Sequence, residues 1–323
     1  ERFRDRLRGL SRAGLRPEDR LNADFLSRVV AERLEGLAFD DGRLGFTNEG
    51  GPDLLLGYVA ESTVIRSAED AEAWLSRLAA APAFIDDTTA SMRRGVRSGF
   101  VQPGITSELV LRQLKARLQA PVADDSGFMA PFAALPASFP AADQAAYRRR
   151  ARQLIDTEIR PALARFAAAV EKEVLPAARP GIGALHLPGG REYYAYLARV
   201  HTTTSMTPDE IHQRGLDEVA RIRAEMEKDI AASGFRGTFP EFLRFLRTDP
   251  RFYAKTPEEL LSYASRIAKR MDHKLPSLFC RLPRQPYGVV PVPRDIEENY
   301  TTARYNPGSP QLGLAGGLMV NTS

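Results

Sequence analysis

Twice in its C-terminal part the chain writes the same helix start, Thr207-Pro208-Asp209-Glu210 and Thr256-Pro257-Glu258-Glu259, each followed by apolar residues at helical spacing. In such a signal the threonine hydroxyl and the acidic side chain three residues on satisfy amide and hydroxyl groups that a helix end otherwise leaves unpaired. Proline at the first helical position costs nothing there. The first start predicts a helix over 208–233 with Ile211, Gly215, Val219, Ile222, Met226 and Ile230 as a buried stripe and Gly234 as its stop. The second predicts a helix through Leu260, Tyr263, Ile267 and Met271, ended by Pro276.

The same punctuation recurs upstream. Ser67 with Asp70 opens a helix holding Trp74 and Leu78, with Pro82 just past its expected end, and Thr106 precedes Leu111, Leu114 and Leu118 on one face. Pro121, Pro131, Pro136 and Pro140 mark residues 119–141 as a loop. Beyond it, Tyr147, Ala151, Leu154, Ile155, Ile159, Leu163, Phe166, Val170 and Val174 mark a long helix that Pro161 should kink or split. After Pro276 the pattern changes: Tyr287-Gly288-Val289-Val290, Asn299 to Tyr305 and Leu318 to Thr322 have strand character, with a turn at Asn306-Pro307-Gly308. The expected fold is mainly α, a large helical body with a small antiparallel β-sheet beginning near the C-terminus. Residues 1–140 read as an N-terminal helical sublobe, and 141–323 as a helical region with C-terminal strands.

Composition narrows the chemistry. Lys and Arg number 45 against 41 acids, and they are dispersed instead of blocked, which gives no nucleic-acid footprint. One cysteine, Cys280, excludes an internal disulfide, and its neighbour Phe279 suggests a buried thiol. No apolar run is long enough to span a membrane. His186, His201, His212 and His273 never pair at three or four residues' spacing, so no helix carries a two-histidine metal face; pairings such as His212 with Glu218 or His273 with Asp272 are weak. Tyr193, Tyr194 and Tyr196 either line a cleft or pack helices, and Arg294-Asp295-Ile296-Glu297-Glu298 is either an anion or peptide-end clamp or a solvated charge run. These residues assign no catalytic group and no metal ligand.

An ordered series of short motifs carries a resemblance. Leu187-Pro188-Gly189-Gly190 with Tyr193-Tyr194 comes first, then Met206 to His212, Gly215 to Val219 and Asp249-Pro250-Arg251-Phe252. Leu275 to Phe279, Ala303 to Gly308 and Val320-Asn321-Thr322 complete it. The set resembles the bacterial domain-of-unknown-function family 885, with helical zinc metallopeptidase-like relatives, well over about residues 180 to 323 and loosely before. The resemblance implies a zinc site on a helix following the Val-Asn-Thr strand, where the metal polarises a peptide carbonyl and a glutamate acts as general base.

By this resemblance the chain is the N-terminal part of a zinc-dependent, metallopeptidase-like hydrolase, and residues 141–323 are the first part of its catalytic domain. It contributes a cleft wall and an edge strand for a peptide substrate. Gly316, Asn321 and Thr322 are expected on that edge, and Tyr305 supplies a cleft hydroxyl. Zinc is expected in the complete protein and not on this chain alone, with its ligands on a missing C-terminal segment or second chain. The chain's end on a strand with nothing left to pair with, and its start at Glu1 without a signal peptide, read as signs that both natural termini lie elsewhere. A periplasmic or exported location fits, and a cytoplasmic one stays open. The alternative is a non-enzymatic helical binding or scaffold protein.

Overall fold

The computed structural model describes residues 1–323 except 49, 123–126, 134, 293–296, 298–299 and 311–312. The chain divides into two compact units, Glu1–Arg214 and Gly215–Ser323. Residue 140, where a boundary was expected, lies inside the first unit, and Met129, Phe132 and Phe139 from the stretch before it belong to that unit's core. Met129 and Phe132 are fully buried, and the indole of Trp74 donates to the Phe128 carbonyl at 3.2 Å.

The first unit runs α1 (Arg2–Arg8), α2 (Pro17–Gly36), α3 (Pro52–Glu61), α4 (Ala68–Ser98), α5 (Gly104–Gln119), α6 (Ala130–Ala133), α7 (Ala141–Leu154), α8 (Arg160–Ala169) and α9 (Gly190–Thr202). α4 starts as its sequence predicts: the Ser67 hydroxyl accepts from the Asp70 amide, and the Asp70 carboxylate accepts from the Arg66 and Ser67 amides. It does not stop at Pro82. Beyond the proline, Ile85, Thr89 and Met92 keep the same face buried, and that packing outweighs the one backbone hydrogen bond proline cannot donate.

The long helix after residue 141 is not broken at Pro161; helical structure runs on from Ala141 to Val174. Two π-helical turns, Ile155–Ile159 and Val170–Val174, bracket α8, and the first widens the turn just before the proline ring must be accommodated. They also keep this helix in step with α4. Ion pairs join Glu72 to Arg150, Asp86 to Arg165 and Glu173 to Arg93. From Glu72 to Asp86 is 14 residues but from Arg150 to Arg165 is 15; from Asp86 to Arg93 is 7 but from Arg165 to Glu173 is 8. Each π-turn absorbs one extra residue. Exposed pairs of this kind contribute little stability singly, so the buried stripe Ile155, Ile159, Leu163, Phe166 and Val170 is what holds the helices together.

Gly95 on α4 sits where two chain segments press against the helix. A Cβ there would lie 2.6 Å from the Arg43 carbonyl oxygen and 2.7 Å from that of Phe100. Both are backbone atoms and neither can swing away. Alanine gains about 1 kcal/mol of helix propensity over glycine, while forced overpacking costs about 1–3 kcal/mol. Gly95→Ala is thus expected to destabilise by about 1 kcal/mol net, measured by urea unfolding; a stabilised variant would show that the segments yield.

A second cluster forms from Phe100, Leu187, Tyr193 and Tyr196, with Phe39 in ring contact with both tyrosines. The Tyr196 hydroxyl donates to the Glu32 carbonyl at 2.9 Å. For Tyr193 and Tyr196 the packing reading holds; Tyr194 is exposed.

α10 (Pro208–Ala232) crosses the division between the units, and the second unit continues with α11 (Phe239–Thr248), α12 (Pro257–Leu278), β1 (Tyr287–Pro291), β2 (Ala303–Asn306) and β3 (Gly316–Val320). Both threonine start signals form, at Thr207 with Glu210 and at Thr256 with Glu259, and α12 runs two residues past Pro276. The expected buried stripe of α10 does not. Only Ile230 is buried, while Val219 is 67% exposed and Met226 40%. Cys280 is exposed, not buried.

The sheet has the order β1-β3-β2 and is mixed: β2 pairs with β3 antiparallel, as expected, and β1 pairs with β3 in parallel. β3 is accordingly the central strand, paired on both sides. The expectation that it lacks a partner, or serves as an edge, does not hold. β1 and β2, consecutive in the chain, lie on opposite sides of β3.

Acid sensitivity follows from the caps and pairs. The carboxyls of Asp70, Glu210 and Glu241 are held below their ordinary values by backbone amides at helix starts, and those of Glu72 and Glu173 by Arg150 and Arg93. A carboxyl depressed in the folded state stabilises fully above its unfolded value, here 3.8 for Asp and 4.5 for Glu, and loses that contribution as pH falls through the folded value. The melting temperature is expected to be flat near neutrality and to fall below about pH 4.5. A melting temperature unchanged down to about pH 3 would contradict the assignment.

Candidate functional site

The C-terminal sheet brings together more of the expected site residues than any other place in the chain. On β3, residues alternate between the two neighbours. The Gly316 amide donates to the Pro286 carbonyl at 3.1 Å and the Val320 carbonyl accepts from Val292 at 3.0 Å, both toward the β1 side. The Asn321 amide donates to the Thr302 carbonyl at 2.9 Å on the β2 side. With Arg304 opposite Met319 and Asn306 opposite Gly317, the antiparallel alternation directs the backbone of Thr302, Arg304 and Asn306 inward to β3. Ala303 and Tyr305 then present their amides and carbonyls outward. Among the described residues nothing pairs with that side, and all four residues of β2 are exposed. β2 is a free edge of the sheet.

Gly316 and Tyr305 lie diagonally across neighbouring strands, and a side chain on Gly316 would collide with the Tyr305 ring and hydroxyl. Glycine is needed there so that Tyr305 can lie across the sheet. On the same face the Tyr287 hydroxyl donates to the Asp272 carboxylate of α12 at 2.9 Å, and Lys269 reaches that carboxylate at 3.1 Å. These contacts, the Tyr287 hydrogen bond foremost, hold the Asp272 carboxyl below its ordinary value. Burial first, then Asp272 and the neighbouring Tyr305, push the Tyr287 phenol up, so it stays a neutral donor near pH 7. The face therefore carries two phenolic hydroxyls and one ionised carboxylate beside an open strand edge.

Asn321 has a different task. Its Nδ2 donates to the Glu297 carbonyl at 2.9 Å and to that of Tyr300 at 3.3 Å, tying the segment before β2 to the end of β3. Thr322 follows it, half-buried. Of the four expected residues, Tyr305 lies on the outer strand β2 and Gly316 beside it on the central strand β3, while Asn321 and Thr322 lie beyond the last strand. Tyr287 and Asp272 were not foreseen as a pair, since fifteen residues and a helix end separate them. Most of the charge run at 294–298 lies outside the described residues.

Other places offer less. An open groove of about 400 Å³ is lined by Arg28, Glu32, Glu35, Arg199 and Thr204 among others, but Arg28 is paired with Glu32 and Arg199 with Glu35. Glu218 is engaged by Arg221 at 2.8 Å, and Asp272 by Tyr287 and Lys269, which leaves neither in a pair with His212 or His273. Among the described residues no group of three His, Cys, Asp or Glu side chains is placed to hold a metal ion.

The fold is a helical unit followed by a smaller helical unit that carries a three-stranded mixed sheet, in which the outer side of β2 has no partner strand among the described residues. The chain belongs to the family described as Bacterial protein of unknown function (DUF885), whose model matches residues 1–323, so the likeness extends over the first 140 residues as well. A crystal structure described as that of "the putative lipoprotein from Colwellia psychrerythraea" has the same fold, with a TM-score of 0.74 at 22% identity. The likeness covers 85% of this chain and 48% of that one, so the chain spans about half the length of this solved relative. None of the curated proteins compared with it matches. Among the described residues no helix is long and apolar enough to cross a membrane.

Proposed function

We propose that the chain supplies the peptide-holding portion of a metallopeptidase-like hydrolase, with the free edge of β2 as the strand to which an extended substrate adds. The observation that carries this is the outward-facing backbone of Ala303 and Tyr305 beside the Tyr305 and Tyr287 hydroxyls. An unpaired edge binds extended polypeptide through main-chain hydrogen bonds, and flanking side chains select among sequences. Phenols and a carboxylate suit the amide and amino groups of a peptide. The short, fully exposed strand also suits a reversible partner better than a permanent one.

The zinc that the family resemblance implies would be held by residues outside these 323, on a further segment or a second chain, and its chemistry belongs there. The lipoprotein description of the Colwellia relative supports an exported location for a protein of this fold. The test is direct. The product of the complete gene is expected to hydrolyse unstructured peptides and to lose that activity with a chelator, whereas residues 1–323 alone bind no zinc tightly. Stoichiometric zinc on residues 1–323 would overturn the division of labour. Peptide binding without hydrolysis by the complete product would establish the scaffold reading in its place.

A further inference from the structure

The apolar stripes of α10 and α12 are built as an interior face. Leu216, Val219 and Met226 on α10 are 51%, 67% and 40% exposed, and Tyr263, Ile267 and Met271 on α12 are 53%, 41% and 54% exposed. Scattered apolar residues on a surface are ordinary. These are not scattered: three-, four- and seven-residue intervals align them along one side of each helix, which is the spacing of a helix–helix seam. The neighbouring charges of α10 are already satisfied within the helix, Arg221 by Glu218 and Glu225, and Arg223 by Glu227. The stripes thus ask for an apolar partner and not a charged one.

Among the described residues the second unit buries only three large or branched apolar side chains, Ile230, Val292 and Val320. Burial on that scale does not offset the entropy of ordering so many residues, and a unit of this size needs more covered surface. What covers it is indicated by the Colwellia structure, in which a chain region with this fold makes up 48% of a longer polypeptide.

We infer that the stripes of α10 and α12 are the docking surface for the rest of this same fold, a helical polypeptide presenting matching apolar faces. The partner segment is shared with the proposed function, but the inference rests on packing and holds whether or not that segment carries zinc. Hydrogen exchange separates the two, because it reads docking and not hydrolysis.

The experiment compares residues 1–323 with the product of the complete gene. In the short chain the amides of α10 and α12 are expected to exchange freely while those of α4 and α8 stay protected, and the chain should sediment as a monomer. In the complete product α10 and α12 should exchange at least about 100-fold more slowly. Val219→Glu with Ile267→Glu should remove that protection and leave α4 and α8 unchanged, which shows that the variant still folds. Three results would overturn the inference: a gene product that ends at Ser323, equal exchange in the two lengths, or a dimer of the short chain that protects α10 and α12 by itself.

Discussion

Replacing Phe166 with alanine is expected to destabilise the first unit by about 3–5 kcal/mol. Phe166 lies on α8 between the two π-turns, is fully shielded from solvent, and meets Phe46 edge-on with ring centroids 6.3 Å apart. Its neighbours cannot collapse into the space left behind. α4 is held against the α7–α8 helix by buried side chains on both sides of the site, Ile159 and Leu163 before it and Val170 after it, and the π-turns fix the phase between them. Loss of transfer energy therefore adds to the cost of a persistent cavity. Set against a total of about 5–15 kcal/mol for a typical domain, such a loss moves the urea midpoint down by at least about 1 M. Phe166→Leu, which keeps most of the volume, should recover more than half of it. A midpoint shift for Phe166→Ala no larger than that for an exposed position such as Phe84 would show that the helices do relax, and the phase argument would fail.

Tyr305→Pro is expected to cut peptide hydrolysis by the complete gene product at least about tenfold, the equivalent of about 1.4 kcal/mol, and to leave the sheet intact. The Tyr305 amide points away from β3, so proline removes no ladder bond, and its ring intrudes where an added strand would lie. Arg304→Pro is the contrasting case. That amide faces Met319 of β3, and its loss should weaken the β2–β3 pairing itself. Tyr305→Ala separates the side chain from the backbone: it removes the hydroxyl but keeps the outward amide, and should cost less than the proline. Equal effects of the proline at 304 and 305 would mean that β2 matters only as structure.

Much of the helical architecture is legible from local chemistry, because a cap or a stripe involves residues within a few positions of one another. Ser67 with Asp70 and Thr207 with Glu210 show this. Where helices continue through prolines, at Pro82 and Pro161, the decisive forces are tertiary contacts or a π-turn, and neither leaves a mark in the neighbouring sequence. The sheet behaves in the same way. The strands announce themselves, but their order does not: it depends on β2 crossing to the far side of β3, and this order decides which residues face outward. The nearness of Tyr305 to Gly316 depends on the β2–β3 register, and the pairing of Tyr287 with Asp272 on the packing of α12 on β1. The stripe of α10 is written for burial, and its exposure in this chain is the clearest case of sequence and surroundings pointing to a partner.

Whether β2 accepts an extended peptide through the backbone of Ala303 and Tyr305 is read most directly by amide hydrogen exchange at single-residue resolution. The sample is the complete gene product, with hydrolysis blocked by a chelator and a short unstructured peptide added to saturation. The amides of Ala303 and Tyr305 are expected to become protected, while those of Arg304 and Asn306, already bonded to β3, do not change. Unchanged exchange at Ala303 and Tyr305 with peptide bound would contradict strand addition at this edge.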